Sequence, residues 1–263
     1  MIERVRCVVF SRDRAMQLDA FLASLARFVT LYDPIVVLYR ATAPPFADAY
    51  DVLRVAHANV TWVEERSFRD DLLAILGDEP YLVFHTDDDV FFDVVPSFAL
   101  REDEATFTLR LGLNTTYCYP LDVEERLTDP HVEPNRISWA WADQGPGAYS
   151  YPLALNGHVF RGSEARGWLA RVEYKNPNEL ESALQLLSDE VRPRMASLAH
   201  SRVVSIPANI VNEVFPNRHG CGRDVGELNT RYLAGERIAV GEMSFAGVAA
   251  CHQEVDYVFR SAR

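Results

Sequence analysis

Tyr81-Leu82-Val83-Phe84-His85-Thr86-Asp87-Asp88-Asp89-Val90-Phe91-Phe92 carries an apolar strand into three consecutive carboxylates and back into apolar residues. Like charges this close raise one another's pKa, and the low dielectric beside a core strand worsens the repulsion unless a cation or donor groups offset it. A divalent metal is the simplest offset. Side chains alternate along extended backbone, so Asp87 and Asp89 share a face and Asp88 points the other way, giving one pair for a cation and one acid for another partner. A solvated acidic turn after an edge strand is the plain alternative. The apolar residues on both sides argue against it.

The chain before this stretch alternates strand and helix. Val5 to Phe10, Ile35 to Tyr39 and Val60 to Glu64 are short apolar runs suited to strands. Between them Leu18, Phe21, Leu22, Leu25, Phe28 and Val29 recur at helical spacing, and Phe46 to Ala56 forms a second helix. Ser67-Phe68-Arg69-Asp70 has the form of a capping box, opening a helix that Gly77 ends. Four strands alternating with three helices predict an α/β fold with a mainly parallel sheet flanked by helices on both faces. Ligands of such sheets bind beyond the carboxyl ends of the strands, where Ser11 to Arg14 and the three aspartates both fall.

Beyond the triplet, Thr106 to Leu111 reads as a strand, and Leu121 to Tyr151, rich in Pro, Gly, Asp and aromatics, reads as a long loop of the functional or mobile kind. Leu153 to Arg161 follows as a strand, Ser163 caps a helix reaching about Glu173, and Asn176-Pro177-Asn178 opens another. The tail holds a strand near Val203 to Ile206, a Gly- and Asn-rich segment, a short helix at Leu228 to Ala234 and a strand-like run at Val255 to Phe259.

With 263 residues, 48% of them hydrophobic, the chain fits a single domain, 1–263, with halves at about 1–111 and 112–263. Its net charge of −12 argues against a nucleic-acid partner. Cys7, Cys118, Cys221 and Cys251 show neither paired nor metal-binding spacing, and Met1-Ile2-Glu3-Arg4 lacks signal-peptide character, so a cytoplasmic location is expected. No apolar run approaches the roughly 20 residues of a membrane span, which leaves only peripheral membrane contact.

Four further groups can carry chemistry. Phe10-Ser11-Arg12-Asp13-Arg14 joins the first strand to the first helix, where backbone N–H groups favour an anion, Arg12 or Arg14 can bind a diphosphate, and Asp13 can accept from a base or ribose. Trp139 and Trp141 offer a flat apolar wall for a sugar ring beside Asp143, or else pin the loop to the core. Glu179 and Glu181 lie near a helix start, where either can serve as a general base or simply favour the helix dipole. His252 is a lone histidine between apolar segments. No G-x-G-x-x-G or G-x-x-x-x-G-K pattern points to a dinucleotide or P-loop enzyme.

In this order the segments resemble a nucleotide-sugar-dependent glycosyltransferase of the GT-A fold, closest to bacterial family-2-like enzymes, over most of the chain. Phe10 to Arg14 is similar to the first nucleotide-binding loop, and Asp87-Asp88-Asp89 to the DxD motif that holds a nucleotide diphosphate through Mn²⁺ or Mg²⁺. Asn156-Gly157-His158-Val159-Phe160-Arg161 resembles the strand before the acceptor-side helices, and Glu179 and Glu181 stand where inverting members keep the acidic side chain that deprotonates the acceptor hydroxyl. The resemblance implies a nucleotide-sugar donor and a glycan, lipid-linked or small-molecule acceptor. It assigns metal contacts to Asp87, Asp89 and His252, donor contacts to Phe10 through Arg14, Arg69, Asp87 and Asp88, and acceptor contacts to Trp139, Trp141, Asp143, Asn156, Gly157 and His158. Two other readings, a sugar nucleotidyltransferase and a non-catalytic binding module with structural Ca²⁺, differ in product: pyrophosphate or none, in place of nucleoside diphosphate.

Overall fold

The computed structural model describes residues 1–2, 4–209, 211 and 222–261. Cys221 and most of the Gly- and Asn-rich segment lie outside them. In the amino-terminal half the chain forms β1 (Val5–Arg12), α1 (Ala15–Phe28), β2 (Tyr32–Arg40), α2 (Pro44–Ala56), β3 (Thr61–Glu64), α3 (Phe68–Ile75), β4 (Tyr81–Thr86), β5 (Asp89–Phe91) and β6 (Glu104–Thr108). There follow β7 (Tyr117–Cys118), β8 (Val123–Glu124), β9 (His131–Glu133), β10 (Arg136–Ala140), β11 (His158–Arg161), α4 (Gly162–Arg171) and α5 (Pro177–Gln185). Last come β12 (Arg194–Leu198), β13 (Val203–Ser205), α6 (Val225–Leu233), β14 (Glu236–Ile238) and β15 (Phe259–Ser261).

Nine strands make the central sheet in the order β3-β2-β1-β4-β11-β6-β12-β10-β9. The β3-β2-β1-β4 portion is parallel, β6 and β12 run parallel to each other, and β11 and β10 are antiparallel to their neighbours. The fold is therefore α/β with a mainly parallel sheet flanked by helices. Alternation along β1 sends Val5, Cys7 and Val9 to one face, against Leu18, Phe21 and Leu25 of α1 and Leu228 and Tyr232 of α6. Val8 and Phe10 face the other way, against Phe68 and Leu72 of α3, Trp168 and Leu169 of α4, and Leu180 and Leu184 of α5. Each such side chain contributes about 1.5–3 kcal/mol of burial.

The first four strands and three helices fall where the apolar periods place them. The capping box at Ser67 is built differently: the Ser67 hydroxyl donates to Asp70, and the Asp71 carboxylate accepts from the backbone N–H groups of Arg66 and Ser67. Ser163 does not cap α4, which starts at Gly162. A Cβ on Gly162 would lie 2.1 Å from the Glu79 carbonyl oxygen, so this strand-to-helix passage needs glycine. The stretch from Leu121 to Tyr151 is not a structureless loop. It supplies β8, β9 and β10, the last two being sheet strands in which Ile137 and Trp139 alternate inward. The strand expected over Leu153 to Arg161 forms only from His158. Residues Arg194 to Leu198, read as no element from sequence, form the fully integrated strand β12.

Candidate active site

Beyond β4 the chain turns through Asp87 and Asp88 into β5, which pairs with β13 so that Asp89 stands opposite Ser205, and Ser205 in turn bridges His252. Parallel pairing of β1 with β4, Phe10 opposite Thr86, sets Ser11 to Arg14 beside the same loop. The carboxyl edge of the sheet thus gathers four segments remote in sequence.

Protein groups compensate all three carboxylates. Asp87, 3% exposed, accepts from the Ser11 hydroxyl at 2.9 Å, from the Arg12 N–H at 3.3 Å and from the Arg14 guanidinium at 3.1 Å. Burial pushes its carboxyl up to about 6, and neighbouring Asp88 adds to that, while Arg14 and Ser11 pull against it. Asp88 lies 3.4 Å from the same guanidinium and accepts from the Thr86 hydroxyl at 2.7 Å. Arg14 also donates to the Asn209 carbonyl. Asp89 is wholly buried between His85, whose Nδ1 is 2.7 Å away, and the Ser205 hydroxyl, which donates to it. Burial opposes the Asp89 charge, but the His85 hydrogen bond and charge, then Arg110 and Ser205, outweigh it and hold the carboxyl below its ordinary value.

This donor set does not fit a divalent cation. Asp89 turns into the core toward His85, and a guanidinium stands beside His252: Arg110 Nη2 donates to Ser205 Oγ at 2.8 Å and to the Cys251 carbonyl at 2.9 Å, and lies 3.2 Å from His252 Nε2. Burial and the Arg110 charge take the His252 imidazole down to about 3. Among the described residues no group of three or more His, Cys, Asp or Glu is placed to hold a metal. The assignment of Asp87, Asp89 and His252 as a metal triad is corrected on that ground: each already faces a protein partner.

Across the loop, Asn156 Nδ2 donates to Thr86 Oγ1 at 2.7 Å, and the N–H of the preceding Leu155 donates to Glu181 Oε2 at 2.9 Å. A hydrogen-bonded path therefore runs from Asp88 through Thr86 and Asn156 to within one residue of the Glu181 carboxylate. The Tyr151 hydroxyl also bonds Glu181, and burial raises the carboxyl above its ordinary value against the Leu155 N–H and the Arg110 charge. Glu179 is a helix cap instead. It accepts from Lys175 N–H and Asn176 Nδ2, and its own N–H donates to Asn176 Oδ1, each at 2.9 Å. Sequence left the two glutamates equivalent; the contacts separate them.

The other expected residues divide similarly. Asp13 adopts φ +58° and fixes Thr42 through its N–H at 2.8 Å and hydroxyl at 2.7 Å, so it shapes the loop. Phe10 stacks on Phe84 in the core and offers only its carbonyl, which accepts from Asp87 N–H. Arg69 donates to the carbonyls of Val172 and Ala170 and clamps α3 to the end of α4. Gly157, at φ +64°, is required because a Cβ would lie 2.7 Å from Arg110 Cγ. His158 is buried with Nδ1 3.0 Å from the Asn156 carbonyl, and burial takes its imidazole down to about 3.

Trp139, Trp141 and Asp143 are not brought to this site. The registers β10–β12, β12–β6 and β6–β11 set Ala140 level with Arg194 and Glu104, at the end of the sheet opposite the acidic loop. Trp139 is fully buried and donates to the Tyr149 carbonyl, while the Trp141 indole donates to the Arg192 carbonyl at 2.7 Å. Both pin the segment to the core, and Asp143 is exposed beside them. Trp141→Phe, which removes one such bond, is expected to cost about 1 kcal/mol in urea unfolding and to leave ligand binding unchanged.

Sequence reasoning missed His85 and Arg110. The only signal for Arg110 was a lone cation closing the apolar run Thr106 to Leu109, and His85 was hidden inside an apolar strand.

No model of a known protein family matches the chain, and no curated protein does. Among solved structures, TarS of S. aureus is similar with a TM-score of 0.48 at 11% identity, over 78% of this chain and 37% of that one. TarS 1-349 in complex with UDP gives 0.46 at 10% identity, over 75% and 59%. WbbM, a bifunctional glycosyltransferase in its apo form, gives 0.28 at 20% identity, over 41% and 23%. The chain spans less than two thirds of each of these structures. Among the described residues no helix is long and apolar enough to cross a membrane.

Proposed function

We propose that this protein is a GT-A-like glycosyltransferase that moves a sugar from a nucleoside-diphosphate sugar to an acceptor hydroxyl on a glycan, lipid-linked or small-molecule acceptor. One observation carries the reading: the path Asp88–Thr86–Asn156 links a cation-compensated acidic loop at the ligand edge of the sheet to the neighbourhood of Glu181, a half-buried carboxylate of raised pKa.

In this reading the Ser11 to Arg14 loop and Asp87-Asp88 receive the nucleoside diphosphate. Asp88, the least buried of the three acids, accepts from a ribose hydroxyl, and Arg14 neutralises phosphate charge. Glu181 takes the proton of the acceptor hydroxyl as that oxygen bonds the anomeric carbon. The bond from this carbon to the diphosphate oxygen breaks, and its electron pair leaves with the nucleoside diphosphate. Attack from the face opposite the leaving group inverts the configuration. Asn156 lies beside Glu181 on the acceptor side, with Gly157 and His158 shaping its turn. Residues 1–111 then serve the donor and 112–263 mainly the acceptor, within one domain.

Thermal unfolding against a panel of nucleoside diphosphates and their sugars tests the donor half. A matched nucleotide at about 100 times its Kd stabilises the fold by about 2.7 kcal/mol. Arg14→Lys keeps the charge but loses the planar guanidinium whose Nη1 reaches Asp87 and Asp88 while its Nη2 holds the Asn209 carbonyl, and is expected to weaken that nucleotide about tenfold. Failure of every nucleotide to stabilise the wild-type protein would refute the proposal.

A further inference from the structure

We infer that Arg110, and not a divalent cation, supplies the second positive charge for the diphosphate, so that donor binding by this protein is metal-independent. The inference rests on the glycosyl-transfer reading above and on the misfit between the acidic loop and a metal.

Arg110 follows β6 at the carboxyl edge of the sheet and is 5% exposed. Its Nη2 is fixed by Ser205 and the Cys251 carbonyl and rests against His252, so one guanidinium stands among the partners of Asp89 and beside the histidine that a metal would use. A guanidinium held there by two acceptors repels a second cation at the same point. The site is also built to admit this side chain: at Gly157 any Cβ would strike the Arg110 stem.

Arg110 retains donor capacity. Its Nε makes no hydrogen bond among the described residues, although it is buried, and the same holds for the Nε of Arg14, which pairs with Asp87 and Asp88. Arg136 and Arg202 also carry an unpaired buried Nε, but only Arg14 and Arg110 hold theirs among the partners of the acidic loop, where an anion can satisfy the two N–H groups. A diphosphate lying over the loop meets two fixed, permanently charged groups, which do for its charge what a bound Mg²⁺ does elsewhere.

Two measurements on the intact protein test this. In the first, Mn²⁺ is titrated into wild-type protein and followed by electron paramagnetic resonance. No stoichiometric binding at micromolar Mn²⁺ is expected. One tightly bound ion that is lost in Asp89→Asn would overturn the inference, whatever the protein's activity. In the second, the nucleoside diphosphates UDP, GDP, ADP and TDP are titrated in EDTA and in Mn²⁺. Affinities equal within about twofold are expected, and binding more than tenfold tighter with Mn²⁺ would overturn the inference while supporting glycosyl transfer. Binding of none of the four under either condition would sink the donor-site reading and the inference with it. Arg110→Met is expected to lose at least tenfold in diphosphate affinity in EDTA, with partial recovery in Arg110→Lys; unchanged affinity in a folded Arg110→Met protein would also overturn it.

Discussion

Glu181→Gln is expected to lower turnover by about 10²- to 10⁴-fold, the range that a positioned general base contributes, while donor affinity stays within about twofold of wild type. The carboxylate accepts from Leu155 N–H and the Tyr151 hydroxyl, roles that the glutamine carbonyl can retain, so the fold loses little. Stability distinguishes this from structural damage. Burial raises the Glu181 carboxyl above its ordinary value, so the folded protein binds this proton more tightly than the unfolded chain. Its contribution is present in full below the ordinary carboxylate pKa and is lost as pH rises through the higher folded-state value. At pH 8 the buried charge is therefore a cost that glutamine removes, and the variant should melt at or above the wild-type temperature, the gap closing toward pH 4. Turnover of the wild type should fall on the acid side with an apparent pKa above the usual glutamate range. Thermal scans at the two pH values, set beside the turnover of each protein, check both expectations. A variant with unchanged turnover removes Glu181 as the base.

Asp89→Ala is expected to destabilise the protein by about 3–5 kcal/mol, the usual result of removing a buried charge from the partners that compensate it. Three groups lose their counterpart: His85, the Ser205 hydroxyl and, through Ser205, the Arg110 guanidinium. In a domain of this size each kcal/mol corresponds to about 2–4 °C, so the midpoint should drop by about 10 °C. The loss should be the same in EDTA as in Mn²⁺. A metal-ligand role would instead give a loss seen only when metal is present, because the acid would have nothing to hold in its absence.

The fold was legible where each element carries its own period. Tyr81 to Thr86, the helix beginning near Leu18 and the parallel strands before the triplet all show apolar residues at the spacing their structure requires. Arg194 to Leu198 was not, because Met195-Ala196-Ser197-Leu198 is short and mixed and becomes a strand only between β6 and β10. The alternation of Ile137 and Trp139 was present in the sequence but lay among prolines, glycines and acids that read as loop.

The triplet lies where its flanks set it, beyond β4 at the carboxyl edge of the sheet, and its charges are compensated as its electrostatics require. Most of the compensating groups lie far from it along the chain. Arg14, Arg110 and Ser205 reach the aspartates only through strand pairing, and no local pattern marks them as partners of residues 87 to 89. Glu179 and Glu181 show the same limit at shorter range. Their sequence positions are alike, and only the contacts of Asn176 with one and Leu155 with the other assign cap and candidate base.

In this reading a sugar passes from a nucleoside-diphosphate sugar to its acceptor at the edge formed by Arg14, Asp88 and Glu181. The most direct test is the product released when purified protein is incubated, in EDTA and separately in Mn²⁺, with a panel of nucleotide sugars, with water as the default acceptor. Slow release of free sugar and nucleoside diphosphate in equal amounts from one nucleotide sugar is expected, with release abolished in Glu181→Gln. Pyrophosphate as the product, or tight nucleotide binding without any turnover, would contradict it.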